Sequence, residues 1–300
     1  MKKLSNQNLA AEITRTGSKQ TYYTILFLVD RPLRYDAYRA YAYFRWVDDY
    51  LDAESNSSSE RKAFFIRQQN LLDACYRGEK PEPLAQEEQM LVEMIHHDLR
   101  ESSGLQSYLR TMMKVMAFDS ERRGRLISQD ELTIYSEMLS IAVTDALFYF
   151  IGNQCIYPLT ETRYKAVQGA HIIHMLRDML EDATIGYFNI PREIVEGEDF
   201  DYTDVEHPAY RQWVQMRVEL AALCFKAGRD FLALINNFRC RIACCAYIAR
   251  FEWLAYVVEK HGYLLHAEYP ERKTLKATFW MIGDIISTFF GIHHREQQSL

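Results

Sequence analysis

Two aspartate pairs are the residues of this sequence best suited to chemistry. Asp48 and Asp52 form one pair, and Asp178 and Asp182 form the other, much later in the chain. In each pair the residues stand four apart, so both carboxylates share one face of a helix. Like charges at this spacing weaken a helix slightly. Each pair therefore indicates either a solvated helix surface or a site that binds a cation.

Apolar side chains surround both pairs. They are Tyr43, Phe44, Trp46, Val47 and Leu51 for the first pair, and Ile172, Ile173, Met175, Leu176, Met179 and Leu180 for the second. A helix that is apolar around most of its circumference lies in the protein interior. An unpaired carboxylate costs several kcal/mol there. These neighbours weaken the interpretation as a solvated surface and favour a compensating cation.

The ligand types favour magnesium, which binds one or two carboxylates together with substrate phosphates. Tyr41 and Arg45 share the helix face of the first pair, and Arg177 stands at the edge of the second stripe. His171 and His174 lie on that second stripe, and aspartate with histidine also binds iron or zinc. The Glu-x-x-His pattern of di-iron helical bundles is absent from these two segments.

Composition narrows the class of protein. The 300 residues are 48% hydrophobic, enough for one large core or at most two smaller ones. A net charge of −6 without a Lys/Arg block argues against nucleic acid as a partner. The six cysteines lack zinc spacing, and we expect Cys240, Cys244 and Cys245, about one helical turn apart in an apolar run, to be reduced core residues. The polar N-terminus lacks a secretory apolar region, so we expect a cytoplasmic protein. Residues 277–292, interrupted by Asp284, indicate either a buried helix or a peripheral membrane contact.

Long segments of helical periodicity dominate the chain, because only 12 glycines and 7 prolines interrupt it. Strand patterns are absent. The predicted helices are residues 33–53, 60–77, 84–99, 104–118, 129–156, 160–184, 207–235, 238–261 and 272–291. Residues 186–208 form an irregular segment of a length typical of a lid, a binding loop or a connector. Without repeats or a linker, the sequence predicts one helical domain over residues 1–300, with residues 1–17 as a loosely ordered N-terminal segment.

Both aspartate segments resemble the aspartate-rich motifs of the squalene/phytoene synthase family. The first resemblance runs from Lys19-Gln20-Thr21-Tyr22-Tyr23 through Arg34, Tyr41 and Arg45 to Asp48-Asp49-x-x-Asp52. The second covers Leu176-Arg177-Asp178-x-x-Glu181-Asp182 and Gly186-Tyr187-Phe188-Asn189-Ile190-Pro191. Phe118-Asp119, the stretch from Asp130 to Tyr135, and the stretch from Glu259 to Tyr263 are also similar to that family.

The resemblance implies an all-α fold, a single bundle of antiparallel helices around a central apolar cavity. It implies a prenyltransferase that joins two farnesyl or geranylgeranyl diphosphates head to head into a squalene- or phytoene-type product. Two or three Mg²⁺ ions would be held by the four motif aspartates, with Arg45, Arg177 and Tyr41 also in catalysis. The implied substrate-binding residues are Lys19, Tyr22, Arg45, Asp119, Ile141, Thr144, His171, His174 and Phe251. Use of NADPH and the oligomeric state stay open.

Three departures from the family pattern concern the cavity. His171 and His174 replace a usual glutamine and asparagine, Ile141 and Thr144 replace two glycines, and Phe251 replaces a tyrosine. The ionising residues are intact, whereas residues that orient the substrate differ. Two alternatives therefore stand beside condensation. One is a class I terpene cyclase acting on one prenyl diphosphate, and the other is a non-catalytic scaffold or assembly protein. For the two histidines, a core position is the alternative interpretation.

Overall fold

The structure, a computed structural model, describes residues 6–79, 81–98, 100, 102–152 and 155–290. It confirms the prediction of an all-α fold. The helices of the described residues are α1 (Asn6–Gly17), α2 (Lys19–Leu28), α3 (Arg34–Asp52), α4 (Ser58–Tyr76), α5 (Gln86–His96), α6 (Gly104–Arg122), α7 (Gln129–Phe150), α8 (Lys165–Thr184), α9 (Arg192–Glu198), α10 (Pro208–Ala233), α11 (Phe238–Lys260) and α12 (Leu275–Phe290). Short 3₁₀ turns at Arg31–Leu33, Glu161–Tyr164 and Pro270–Lys273 precede α3, α8 and α12.

Side-chain caps set where several helices begin. Ser57 accepts a hydrogen bond from the Glu60 amide while the Glu60 carboxylate accepts one from the Ser57 amide, which makes a capping box at α4. Ser18 caps α2 and Asn237 caps α11 through a single hydrogen bond each, which their side chains accept from the amides of Thr21 and Cys240. These bonds satisfy amides that the helix itself leaves unpaired. Helices α1, α2 and α9 are absent from the prediction, although the Ser18 cap is a local signal for α2.

A small parallel sheet is the main departure from the helical prediction. Strand β1 (Leu126–Ile127) pairs with β2 (Phe188–Pro191), with Leu126 opposite Phe188. Strands of two and four residues are too short to show the alternating pattern by which a sequence predicts them. Both β2 and α9 fall in residues 186–208, so the expectation that this whole segment is irregular is wrong.

The helices form two compact units. The first comprises Met1–Glu121 with Asp145–Cys155, and the second comprises Arg122–Thr144 with Ile156–Leu300. In the first unit α3 packs against α1 and α5, and its most buried residues include Ala42, Tyr43 and Val47. The single domain over residues 1–300 stays a prediction.

In the second unit α8 packs against α10 and α11. Small residues allow the close approach of α8 and α10. A Cβ atom added at Gly169 would lie 2.9 Å from the carbonyl oxygen of Ala221, and one added at Gly228 would lie 2.4 Å from the Ala166 nitrogen. The contacting residue numbers rise on one helix as they fall on the other, so the two helices run antiparallel. This crossing fixes the helix that carries the second aspartate pair.

The structure also shows the state of the cysteines and the character of the apolar helices. All six cysteines are free, and Cys240, Cys244 and Cys245 are buried in α11, as predicted. None of the helices in the described part of the chain has the length and apolar character needed to cross a membrane.

Candidate functional site

The first aspartate pair lies on α3. Tyr43, Val47 and Leu51 fall on its buried side, which holds the helix in the first unit. Asp48 and Asp52 fall on an adjacent face and are half-buried. The helical period therefore separates the residues that fix α3 from the two carboxylates, which stay accessible at the edge of the core.

The Asp48 carboxylate is an unfavourable anion in this position. Burial first, and then repulsion from Asp52 and Asp119, raises the pKa of Asp48 to about 7, although Arg45 lowers it. Arg45 pairs more closely with Asp49, at 2.5 Å between Nη2 and Oδ1, than with Asp48, at 3.7 Å. The structure therefore brings the predicted residue Asp119 within electrostatic reach of the pair. A cation placed beside Asp48 would relieve this repulsion.

Replacing Asp48 with asparagine should stabilise the metal-free protein more at pH 8 than at pH 5. The folded-state pKa of about 7 exceeds the ordinary value of 3.8, so the folded protein binds this proton more tightly than the unfolded chain does. The stabilising contribution of protonated Asp48 is complete below pH 3.8 and is lost as the pH rises through 7. Asparagine carries no charge and avoids that loss. Chemical denaturation in EDTA measures both free energies of unfolding, and an equal effect at the two pH values would contradict the raised pKa.

Tyr41 lies next to the first pair, as predicted. Burial raises the pKa of its hydroxyl, Arg45 lowers it, and Asp48 raises it further, so all three side chains share one environment. A Cβ atom added at Gly17, the last residue of α1, would lie 2.7 Å from the Tyr41 hydroxyl oxygen. The close end of α1 therefore limits where this hydroxyl can move.

Lys19 and Tyr22 lie on α2, three residues apart. The Tyr22 ring stacks on Tyr38 with 5.5 Å between the ring centroids, and the Tyr38 hydroxyl donates to the Tyr22 carbonyl at 3.4 Å. Lys19 is exposed in the first turn of α2. Their roles in substrate binding stay predictions.

The second pair lies on α8, where two neighbours hold Asp178. Arg177 Nε donates to Asp178 Oδ1 at 2.5 Å, and its Nη2 donates to Oδ2. His174 Nε2 lies 3.0 Å from Asp178 Oδ2. Burial by itself would raise the pKa of Asp178, but the hydrogen bonds from His174 and Arg177 outweigh burial and lower it. Asp178 is therefore an anion at neutral pH, in contrast to the destabilised anion of Asp48.

A chain of polar contacts connects Asp182 to Asn189 in β2 and to Arg122 at the end of α6. Asn189 Nδ2 donates to Asp182 Oδ2 at 2.7 Å, and Arg122 Nη1 donates to Asn189 Oδ1 at 2.7 Å. The buried Arg122 guanidinium lies 4.8 Å from the Tyr135 ring centroid and 4.9 Å from that of Tyr187. Neither Arg122 nor Asn189 is among the predicted site residues. Asn189 belongs to the motif turn, which is the signal that could have found it.

A row of aromatic rings follows the stripe of the second pair. Ring centroids lie 5.8 Å apart between Tyr135 and His171, 5.8 Å between His171 and His174, and 5.6 Å between His174 and Phe251. Burial lowers the pKa of both histidines, so both rings are neutral at neutral pH. Within the described chain, His171 Nε2 is buried and has no hydrogen-bond partner. The structure thus brings three predicted residues together beside Asp178.

Unpaired polar groups occur on two other helices of this unit. Thr144 Oγ1 on α7 is buried without a hydrogen-bond partner among the described residues, and Ile141 lies one turn earlier, half-buried. Arg217 on α10 is 6% exposed, and it forms no hydrogen bond or ion pair with any described residue. Burial lowers the pKa of Arg217 to about 10, so it stays a cation at neutral pH. Its charge helps to lower the pKa of His171. Arg217 is a further residue that the sequence prediction omits.

The donor chemistry of the two pairs fits a hard divalent cation. Among the described residues no group of three or more His, Cys, Asp or Glu side chains is arranged to hold a metal ion. Mg²⁺ does not need such a group, because it binds through one or two carboxylates and completes its shell with water and phosphate oxygens. Asp48, which burial and Asp52 destabilise as an anion, is the side chain that would gain most from the cation.

Comparison with known proteins gives a family match over most of the chain. The family model described as squalene/phytoene synthase matches residues 14–280. A presqualene diphosphate synthase from Zymomonas mobilis is 26% identical over 195 residues. That alignment covers 64% of this chain and 63% of the relative, slightly less than two thirds of its length.

Solved structures share the fold at low sequence identity. The squalene synthase HpnC from Alicyclobacillus acidocaldarius superposes with a TM-score of 0.67 at 17% identity, covering 87% of this chain and 95% of that one. A dehydrosqualene synthase bound to a ligand gives a TM-score of 0.66 at 13% identity, with 96% of each chain covered. At these identities the likeness concerns the fold alone.

Proposed function

The chain belongs to the squalene/phytoene synthase family, and on this premise we propose that it condenses two prenyl diphosphates head to head. The observation that carries the proposal is the retention of both aspartate pairs, each with an adjacent arginine, Arg45 or Arg177. The surroundings of Asp48 support a cation-binding role, because they disfavour its charged form. A scaffold protein would have no need of such a carboxylate.

In the proposed reaction the C1–O bond of the donor breaks and its electron pair leaves with the diphosphate. The alkene of the acceptor forms a bond to the donor C1, and loss of a proton closes a cyclopropane ring. Two prenyl diphosphates thus give one cyclopropyl diphosphate, one free diphosphate and one proton. Asp48 with Asp52, and Asp178 with Asp182, are the residues that would hold Mg²⁺ ions. When bound, Mg²⁺ neutralises charge on the departing diphosphate.

The side chains around the second pair suit an allylic cation. Asp178 is kept ionised by His174 and Arg177, so it can bind a metal ion without first losing a proton. The lowered pKa values of His171 and His174 keep both rings uncharged, which avoids repulsion of a developing carbocation. The ring of Phe251 lies beside His174, and its π-face already attracts the guanidinium of Arg250, whose Cζ lies 4.4 Å from the ring centroid.

A cyclase acting on one prenyl diphosphate is the second candidate. The larger side chains of Ile141 and Thr144, together with the unpaired Thr144 hydroxyl, favour a smaller and more polar cavity than two prenyl chains need. This reaction would use the same aspartates for ionisation. Binding of one diphosphate ester per active site would favour it.

A product assay tests the proposal. Purified protein is incubated with Mg²⁺ and farnesyl or geranylgeranyl diphosphate, with and without NADPH, and released diphosphate and extracted products are followed together. We expect a cyclopropyl diphosphate or a hydrocarbon of twice the substrate's carbon number, and the responding substrate fixes the chain length. A product with the substrate's own carbon number would establish the cyclase instead. Absence of Mg²⁺-dependent diphosphate release would contradict both.

Changing His171 to glutamine together with His174 to asparagine should alter the product mixture. Both substitutions replace a neutral ring with a smaller amide beside Asp178, so the cation's surroundings change while the four aspartates stay. Gas chromatography of the extracted products measures the effect. The exposed His96, changed to glutamine, is the control and should leave the mixture unaltered. An unaltered mixture in the double variant would favour the core interpretation of the two histidines.

A further inference from the structure

The turn after α8 places strand β2 beside the second aspartate pair. The Tyr187 amide donates to the Asp182 carbonyl oxygen at 2.9 Å, and the Gly186 amide donates to the Ala183 carbonyl oxygen at 3.2 Å. These are the two hydrogen bonds of a Schellman motif, which ends a helix and reverses the chain. Gly186 has a φ of +92°, a conformation that residues with a side chain rarely adopt. The reversal returns Asn189 to the last turn of α8.

Arg122 determines which way the amide group of Asn189 points. A guanidinium only donates hydrogen bonds, so the atom of Asn189 that lies 2.7 Å from Arg122 Nη1 has to be the oxygen Oδ1. The amide nitrogen Nδ2 is therefore directed at Asp182 Oδ2, 2.7 Å away. Arg122 is 5% exposed and packs against the rings of Tyr135 and Tyr187, which restrains its own position. Contacts outside α8 thus set the direction of the donor that meets Asp182.

Strand β2 keeps Asn189 in this position. Asn189 is 1% exposed, and the neighbouring Phe188 lies opposite Leu126 of β1. The two hydrogen bonds of the Asn189 amide satisfy polar atoms that are costly to bury unpaired. The contact with Asp182 therefore belongs to a buried, strand-paired segment and does not depend on a flexible surface side chain.

We propose that Asn189 is a positioning residue for the Mg²⁺ ion that Asp182 would hold, a role that rests on the proposed function, and that Arg122 acts through Asn189. The hydrogen bond from Asn189 restricts rotation of the Asp182 carboxylate, so less conformational freedom is lost when the cation binds. Mg²⁺ demands a near-octahedral arrangement of its ligands, which makes its binding sensitive to the direction of each carboxylate. Hydrogen-bonded partners of metal ligands orient those ligands, and losing one commonly weakens metal binding.

Cation binding can be measured without turnover. Inorganic diphosphate is titrated calorimetrically into the protein at a series of Mg²⁺ concentrations, and the readout is the Mg²⁺ concentration that gives half-maximal diphosphate affinity. Asn189→Leu has the same branched shape without a donor, and it should raise this concentration by about 10- to 100-fold. In an Asp182→Asn background the same change should have no further effect, because it acts through that carboxylate.

A double variant separates this role from a defect in folding. Asn189→Leu alone leaves the buried Arg122 without one acceptor, whereas Arg122→Met with Asn189→Leu removes both partners, a replacement that is often nearly neutral for stability. The double variant should show the same loss of Mg²⁺ affinity as Asn189→Leu, since Arg122 acts through Asn189. A larger loss in the double variant would overturn the part assigned to Arg122.

Val195→Ala is the control for general damage. Val195 is buried in α9, the helix that follows β2, and its truncation should lower the free energy of unfolding without changing Mg²⁺ affinity. Wild-type Mg²⁺ affinity in Asn189→Leu would overturn the positioning role and leave the proposed reaction untouched. An equal loss in Val195→Ala, or in the Asp182→Asn background, would do the same. Failure of the wild type to bind diphosphate with Mg²⁺ would instead overturn the proposed function, and the positioning role with it.

Discussion

Replacing Asp178 with asparagine should reduce prenyl diphosphate turnover by about 10³-fold, the loss typical when one preorganised electrostatic contact to a transition state is removed. The asparagine keeps the size of the side chain but lacks the charge that binds a divalent cation. His174 and Arg177 hold the wild-type carboxylate as an anion, and neither can supply that charge in its place. Steady-state assay of diphosphate release measures the effect.

The Mg²⁺ dependence distinguishes loss of a metal ligand from general damage. If Asp178 binds Mg²⁺, the variant should need a higher Mg²⁺ concentration for half-maximal rate, with an unchanged far-ultraviolet circular dichroism spectrum. The exposed Asp230 at the end of α10, changed to asparagine, removes one carboxylate of the same unit and should leave turnover as in the wild type. Wild-type turnover in the Asp178 variant would contradict the assignment of the second pair.

Helical spacing correctly predicted which candidate side chains are neighbours on one helix. The four-residue spacing predicted that Asp48 and Asp52 share a face of α3, and the stripe through His174 and Asp178 is a real contact, 3.0 Å between Nε2 and Oδ2. Such local predictions succeed because the rise and twist of a helix fix which side chains are neighbours. The family resemblance supplied Asp119, which no spacing rule connects to Asp48.

Helical spacing could not predict contacts between segments that are distant in the sequence. Arg122 at the end of α6 donates to Asn189 in β2, and Asn189 donates to Asp182 on α8, so this chain of contacts joins three elements that are distant in sequence. Strands β1 and β2 are too short to leave a pattern, and their pairing depends on tertiary structure. Helix α12 shows a related limit, since its period predicts an amphipathic helix but not which face turns inward. The position of Asp284 opposite Arg229 decides that.

Helical periodicity indicates an unusual position for Arg217, although Arg217 is not among the predicted site residues. It occupies a position in the apolar stripe of α10, with Trp213, Val214 and Ala221 at helical spacing on the same side, all of them buried. A charged residue inside such a stripe is informative because arginine is rarely fully buried without a partner. Periodicity therefore contained a signal for a buried cation, although it could not place that cation near His171.

Replacing Arg217 with methionine should stabilise the protein by about 1–4 kcal/mol, as replacement of buried charges by apolar side chains of similar volume often does, and should slow turnover by about 10²-fold. The guanidinium is buried and charged without a partner among the described residues, so the fold gains nothing evident from it. An anionic substrate reaching this side chain would offset its desolvation, and substrate turnover is where its loss should appear. Denaturant titration and kcat/KM measure the two effects.

Two further variants separate the position of Arg217 from its charge. Lys226→Met removes a cation from the exposed side of α10 and should change neither stability nor turnover. Arg217→Lys keeps a cation in the buried position and should retain more activity than methionine does. If methionine raised stability and left kcat/KM unchanged, the arginine would have no part in the reaction. Its buried charge would then only destabilise the fold. A joint gain in stability and loss of turnover is the result that assigns Arg217 to the substrate.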